Sequence, residues 1–290
     1  MIPMTISDSR LSILSQHSAY ASRWLAAQPQ WAEDLVGGIN TPINSLVIEK
    51  LLEPACQVLS QEPINLEVLG AQLRVSRQKL MLLLALRDLS GFADVSEVTE
   101  AMSYFAERVI AIGLSALHKD MYPLVGQPQS KDGQFLPLIV VGMGKLGGKE
   151  LNVSSDIDLV FLYEEDGDTQ GGLKSISHHE WYARLGKKLI ALLSELKSEG
   201  FVFRVDMRLR PNGDSGPLVC SLGMLEEYFS VQGREWERYA WIKGRMIYPT
   251  EPDPAHATSL KGLQDLVRPF VYRRYLDFGV IAAIRELHAH

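Results

Sequence analysis

Two short runs and one isolated residue hold the side chains that could do chemistry. Gly142-Met143-Gly144-Lys145-Leu146-Gly147-Gly148 is followed closely by Ser154-Ser155-Asp156-Ile157-Asp158-Leu159, and Asp206 stands farther on. A glycine-rich turn after a strand lets backbone N–H groups approach a phosphate with no Cβ in the way. The same glycines would serve equally well in a plain tight turn. Neither a Rossmann dinucleotide site nor a P-loop is read here.

The acidic pair adds weight to the first reading. On a strand, residues two apart share a face at about 6.6 Å, given ~3.3 Å per residue. Two carboxylates at that distance repel by roughly 2–3 kcal/mol at an effective dielectric of ~20. Placing them among Ile157, Leu159, Val160 and Phe161 calls for a compensating cation. Mg²⁺ is suited to one or two carboxylates plus phosphate oxygens. Asp206 lies in a segment that also carries Arg204, Arg208 and Arg210. A third carboxylate could complete a two-metal site, with the arginines holding phosphates by forked, charge-assisted hydrogen bonds. The bland alternatives are a solvent-facing edge pair and a ladder of Arg–Asp pairs, each worth little.

The elements that must position these groups show in the hydrophobic pattern. The first 120 residues read as helical. Ser76 is expected to cap a helix carrying Leu80, Leu83 and Leu84, and Val98, Met102, Phe105, Val109, Ile112 and Leu117 form an apolar stripe. Pro123, Gly126, Pro128, Lys131, Asp132 and Gly133 cluster within Tyr122–Phe135 and mark a loop or linker. Beyond it, Leu138–Val141 and Ile157–Tyr163 read as buried strands. Ser177 with Glu180 forms a capping box that opens a helix through Leu185, Leu189, Leu192 and Leu196, which Gly200 ends. Phe201–Arg210 alternates strictly, predicting a strand with Phe201, Phe203, Val205, Met207 and Leu209 on one side. Helix returns after Ser221 through Tyr228, Trp236, Tyr239 and Ile242, and a last helical pattern runs from Val271. Because Val280, Ile281, Ile284 and Leu287 are still in helical phase near the end, a fragment of a longer protein is expected.

Composition excludes several classes. The chain has 290 residues, 46% hydrophobic and 22% charged, as expected of a globular protein of roughly two domains. Lys+Arg total 29 against Asp+Glu 35, a net charge of -6, which argues against a protein that coats nucleic acid. A local basic pocket for a small phosphorylated ligand remains compatible with that balance. Cys56 and Cys220 alone make neither a disulfide framework nor a Cys-rich zinc site, so a reducing compartment is expected. Met1–Arg10 lacks the apolar core of an export signal, and Leu80–Leu86 is far short of the ~18–20 residues of a membrane span. No membrane association and a cytoplasmic location are the expectation.

GMGKLGGKELNVSSDIDLVFLY at 142–163, FVFRVDMRLRPNGDSGPLV at 201–219, GREWERYAWIKGR at 233–245 and RPFVYRRYLDFGVI at 268–281 resemble the bifunctional glutamine synthetase adenylyltransferase/adenylyl-removing family. The wider likeness is to the DNA polymerase β nucleotidyltransferase superfamily. The resemblance spans roughly Leu136–Glu286. It implies an α+β fold: a polymerase β-like mixed sheet with helices, preceded and followed by helical segments. With the domain boundary read at the Tyr122–Phe135 cluster, the expected division is a helical N-terminal domain at 1–121, a nucleotidyltransferase core at 122–220 and a helical extension at 221–290.

Members of that family carry two such units, and the run Leu151–Leu159 looks more like the N-terminal one, which removes AMP from a glutamine synthetase tyrosine by phosphorolysis. The resemblance then implies Asp156, Asp158 and Asp206 as catalytic metal ligands for Mg²⁺. It sets Gly144 and Lys145 where the superfamily has a Gly-Ser pair, and Ser155 as a residue positioning the turn or a phosphate. Arg208 and Arg210 are expected to hold phosphates. Implied partners are adenylylated glutamine synthetase, phosphate and ADP, with the PII signal protein as regulator and glutamine or 2-oxoglutarate as indirect inputs. Adenylyl transfer from ATP onto the tyrosine, and a non-catalytic nucleotide-sensing domain, are the rival readings. His178 and His179, being adjacent, make a poor metal pair and are expected at a helix-entry surface. Arg234, Arg238, Lys243 and Arg245 could ring a nucleotide or lie on a solvated helix face; Arg273 and Arg274 carry the same two readings.

Overall fold

The structure, a computed structural model, describes residues 9–272. Six helices come first: α1 (Ser9–His17), α2 (Ala19–Ala27), α3 (Trp31–Gly38), α4 (Ser45–Leu59), α5 (Leu66–Leu89) and α6 (Val95–Val125). Short polar side chains start most of them. Ser18, Asn44, Asn65 and Asp94 each accept a hydrogen bond from a first-turn N–H, satisfying donors the helix itself cannot. Asn65 is thus the cap of α5. Ser76, the expected cap, is buried in the middle of that helix and donates to the Leu51 carbonyl at 2.7 Å. The α6 stripe is largely as expected: Met102, Phe105, Val109, Ile112 and Leu117 are buried, and Val98 at its start is partly buried against the same core. The helix runs on through Pro123 to Val125, four residues into the segment expected to be a loop.

The second half is α/β. In chain order come β1 (Ile139–Gly142), α7 (Gly144–Gly147), β2 (Ile157–Tyr163), α8 (His178–Ser194), β3 (Val205–Asp206), β4 (Val219–Ser221), α9 (Leu222–Val231), α10 (Glu235–Ile242), β5 (Arg245–Tyr248) and α11 (His256–Val271). The strands form one mixed sheet in the order β3-β2-β1-β5, with β4 also on β2. β2 is antiparallel to β1, which is antiparallel to β5; β3 and β4 both run parallel to β2. The fold is α+β with a nucleotidyltransferase-like mixed sheet. No helix among the described residues is long and apolar enough to cross a membrane.

Period-two alternation sends each strand's side chains to two different cores. Val140, Ile157, Leu159, Phe161 and Tyr163 join a cluster that reaches back to Leu11 and includes α4, α5, α6 and α8. Ile139, Val141, Val160, Leu162 and Met246 join a second one under α9, α10 and α11. Close packing fixes the layers: a Cβ on Gly113 of α6 would stand 3.1 Å from Leu189 and Leu192 of α8. β2 is therefore sandwiched on both faces. Asp158 occupies the second-core face at the strand's first turn-side position, where that cover runs out.

Three expectations are corrected. Phe201–Arg210 is not a ten-residue strand. The N–H groups of Val202 and Phe203 both donate to the Leu193 carbonyl at 2.9 Å, so the segment satisfies the end of α8 and only Val205–Asp206 pairs with β2. Val202 and Phe203 are both fully buried, against strict alternation. The helix opened by Ser177 stops at Ser194; Leu196 is exposed, and Gly200 (φ 88°) closes a separate turn with Lys197. The helical stretch after Ser221 is two helices, with Trp236, Tyr239 and Ile242 exposed, and it is followed by β5, which was not expected. The pattern expected from Val271 onward, with Arg273 and Arg274, lies almost wholly outside the described residues.

Candidate active site

Sheet register brings Asp158 and Asp206 together. They are direct partners across the parallel β2–β3 pair. β1 ends at Gly142, and the Met143 N–H donates to the Asp158 carbonyl at 2.9 Å, holding the glycine turn against the start of β2. Gly144 opens α7 at φ 52°, and a Cβ there would stand 2.8 Å from Asp158 Oδ2. Glycine is required twice over: for the left-handed backbone and for room beside the carboxylate. Gly142, Gly144 and Gly147 do fall at G-x-G-x-x-G spacing. The following strand is antiparallel, however, and α7 is a single turn, so this is not the βαβ unit of a dinucleotide site.

The electrostatics differ between the two acids. Asp158 is half-buried, and its carboxyl is pushed above the usual range by burial, then by the charges of Asp206 and Asp156. Asp206 is held below the usual range, chiefly by the Arg208 side-chain hydrogen bonds; Arg208 also donates its N–H to Asp206 Oδ1 at 2.8 Å. Asp156 sits just before β2 and is exposed, with Arg204 Nε bonded to its Oδ1 and the Arg204 guanidinium also donating to the Ser154 carbonyl. The bland Arg–Asp ladder is thus partly present, in the pairs Arg204–Asp156 and Arg208–Asp206.

The remaining expected residues divide. Lys145 Nζ lies 3.3 Å from Ser155 Oγ, which in turn donates to Asn152 at 2.7 Å, and the lysine's charge reaches Asp158. Arg210 turns away: its guanidinium donates to the Met207 carbonyl at 2.8 Å and pairs with Asp214 at 3.4 Å. Its Nε is buried without an acceptor. Asn152, which orders Ser155, was missed for want of any motif to mark it.

For a divalent cation, the donor set is right in kind. Carboxylate oxygens are the ligands Mg²⁺ prefers, and mutual repulsion at Asp158 is what a cation would relieve. Among the described residues, however, no three His, Cys, Asp or Glu side chains stand grouped to hold a metal ion as they are. Asp158 and Asp206 are the adjacent pair, while Asp156 is held by Arg204.

Residues 9–260 match the family described as glutamate-ammonia ligase adenylyltransferase. The chain belongs to this family. It is 52% identical over 98% of its length to the bifunctional glutamine synthetase adenylyltransferase/adenylyl-removing enzyme of Burkholderia pseudomallei, of which it covers 31%. The proteins of the same name from Ralstonia nicotianae and Shewanella frigidimarina are 51% and 40% identical over 94% and 93% of the chain, which covers 28% and 27% of them. The chain therefore spans about a third of the length of these relatives.

In this adenylyltransferase-family chain, the glycine turn is fixed from behind by residues remote in sequence. Arg245 on β5 donates to the Gly147 carbonyl at 3.0 Å and the Leu146 carbonyl at 3.1 Å, and pairs with Glu107 of α6. A cation on the last carbonyls of a short helix satisfies acceptors that α7 cannot. Lys243 pairs with Glu150 at 2.6 Å. Arg238 stacks over Phe270 at 5.2 Å, and Arg234 is the N-cap residue of α10, its N–H donating to Glu237 Oε2 at 2.8 Å. His178 is not at a surface: it is 1% exposed, with Nδ1 at 2.9 Å from the Glu165 carbonyl.

Gly144→Ala tests the turn. Left-handed backbone costs a non-glycine residue roughly 1–2 kcal/mol, so Tm should fall by about 2–8 °C. Gly148→Ala is the control: its Cβ would meet only the flexible Glu150 carboxylate, at 3.3 Å, and calorimetric scans should show little change.

Proposed function

We propose that this chain removes AMP from adenylylated glutamine synthetase by Mg²⁺-dependent phosphorolysis, releasing ADP. The observation that supports the reading most is the Asp158–Asp206 register pair facing the Gly144 turn, in a chain of the adenylyltransferase family. The relatives' names carry two activities, and a chain about a third as long as they are is assigned one. The Ser-Ser before Asp156-Ile157-Asp158 supports the removing one by its likeness to the N-terminal unit.

In this reading, Asp158 and Asp206 are the metal ligands, joined by Asp156. A divalent cation bound there would neutralise charge on the α-phosphate and fix its orientation. Inorganic phosphate attacks the α-phosphorus; the bond to the tyrosine oxygen breaks, and the proton of hydrogen phosphate balances the tyrosine hydroxyl. Lys145, ordered by Ser155, supplies positive charge beside the turn. Arg208 can swing from Asp206 to a phosphate, being exposed. Arg210, tied to Met207, braces the segment and would reach a phosphate only on release from it. Positioning and charge stabilisation carry most of the rate, as in phosphoryl transfer generally. Residues 122–220 hold all these groups; α5, α6 and α8 pack on one face of the sheet and α9, α10 and α11 on the other. Location in the cytoplasm and regulation by PII belong to the same reading.

The test mixes the chain with adenylylated glutamine synthetase, Mg²⁺ and phosphate and follows the released nucleotide. ADP appearing only with phosphate is the expected result. Pyrophosphate formed from ATP and unmodified synthetase, with no ADP release, would reverse the assigned direction.

A further inference from the structure

A cavity of about 640 Å³ opens beside the acidic site, between α2, α5 and the turns leading into β2 and β3. That is the size of a pocket for a small molecule. Its lining includes Arg23, Arg77, Lys197 and Arg204 and no Asp or Glu. Lys197 is already paired with Glu195 at 2.9 Å, and Arg204 with Asp156. Among the described residues, no ion pair is made by Arg23 or Arg77.

Arg77 is the notable member. It is only 5% exposed, lies 5.1 and 5.3 Å from the ring centroids of Phe201 and Phe203, and donates to the Val153 carbonyl at 3.3 Å. Its Nε is buried without an acceptor, as is Gln78 Oε1 beside it without a donor. A buried guanidinium with no counter-charge is costly, and the nearby charge of Arg204 adds repulsion. Such a cluster is stabilised by an anion, and a forked guanidinium matches phosphate oxygens best.

We propose that this pocket is an anion site for a phosphoryl group, and that Arg204 is shared between that anion and Asp156. An anion in the pocket draws Arg204 off Asp156, which is then open to a divalent cation. By linkage, anion and cation each raise the affinity for the other. The coupling rests on the proposed role of Asp156 as a metal ligand; the anion site does not. The phosphoryl group is that of free phosphate or of an adenine nucleotide, whose ring would lie against Tyr20 and Trp24.

The test titrates the intact chain with inorganic phosphate and, separately, with ADP in EDTA, reading heat and tryptophan fluorescence. Saturable binding is expected, weakened about tenfold or more (1.4 kcal/mol) by Arg23→Glu, an exposed position that spares the fold, and by Arg77→Met. Tighter binding of phosphate assigns the pocket to the free anion; tighter ADP assigns it to the nucleotide. Absence of saturable binding for both at millimolar concentration, or binding indifferent to Arg23→Glu, overturns the site. Mn²⁺ binding is then measured with and without phosphate. Tightening in the unmodified chain but not in Arg204→Met supports the sharing of Arg204. Mn²⁺ bound equally in both conditions refutes that sharing, and no Mn²⁺ bound at all refutes the carboxylate assignment while the anion site stands.

Discussion

If the chain removes AMP as proposed, Asp158→Asn should abolish that activity while leaving the protein at least as stable as before. Loss of one preorganised charge-stabilising group at a reacting phosphate costs on the order of a hundred- to a thousandfold in rate. Asp158 is the acid with the least alternative employment, since Asp156 and Asp206 each hold an arginine. Stability should move the other way. The Asp158 carboxyl is raised by burial and by the neighbouring carboxylates, so its ionised form is disfavoured in the folded state. A group raised on folding contributes stability at low pH, below its unfolded value, and that contribution is lost as pH rises through the folded value. Near pH 7 the charge is therefore a net cost, and the amide removes it. A thermal scan of the variant at pH 7 should show an unchanged or higher Tm, and at pH 4 the advantage should shrink. Full ADP release by the Asp158→Asn variant would remove Asp158 from the mechanism. A sharply lower Tm for the same variant would mean that the carboxylate is structural.

Gly147→Ala should damage the fold severely. A Cβ at Gly147 would stand 1.9 Å from the Lys243 carbonyl oxygen and 2.6 Å from that of Gly142. Both are backbone atoms, so no rotamer change relieves the overlap. The clash would push β5 and its preceding turn off α7 and strain the Arg245 bonds to the Leu146 and Gly147 carbonyls. Overpacking against rigid neighbours typically costs about 1–3 kcal/mol and occasionally more; with no side chain able to give way, roughly 3–5 kcal/mol is the expectation. At ~2–4 °C per kcal/mol for a chain of this size class, Tm should fall by about 6–20 °C. Circular dichroism melts would check it. A variant that melts with the parent would show that β5 can move away from the turn without cost.

Local physics was legible in the sequence. β2 runs from Ile157 to Tyr163 as its apolar run predicted, and Ser177 caps α8 through the Glu180 N–H. The α6 stripe is largely buried as its spacing required. These signals act over three or four residues, so the chain carries them without help from its fold. The acids of the candidate site were visible for the same reason, as charges set among Ile157, Leu159 and Val160.

Only the tertiary structure decided which groups meet. Asp206 faces Asp158 because β3 takes parallel register on β2, and that register is carried by just two residues. The alternation of Phe201–Arg210 was misleading because its first N–H groups are claimed by the Leu193 carbonyl, a partner no periodicity reveals. Arg245 supports the glycine turn from 98 residues away, through a strand whose four residues were too few to announce it. Arg77 looks like one more helix-surface cation until Phe201 and Phe203 bury it. Caps and stripes are short-range equilibria written in neighbouring residues. Charge pairing, burial and register depend on what the chain brings from far away, and so belong to the folded molecule alone.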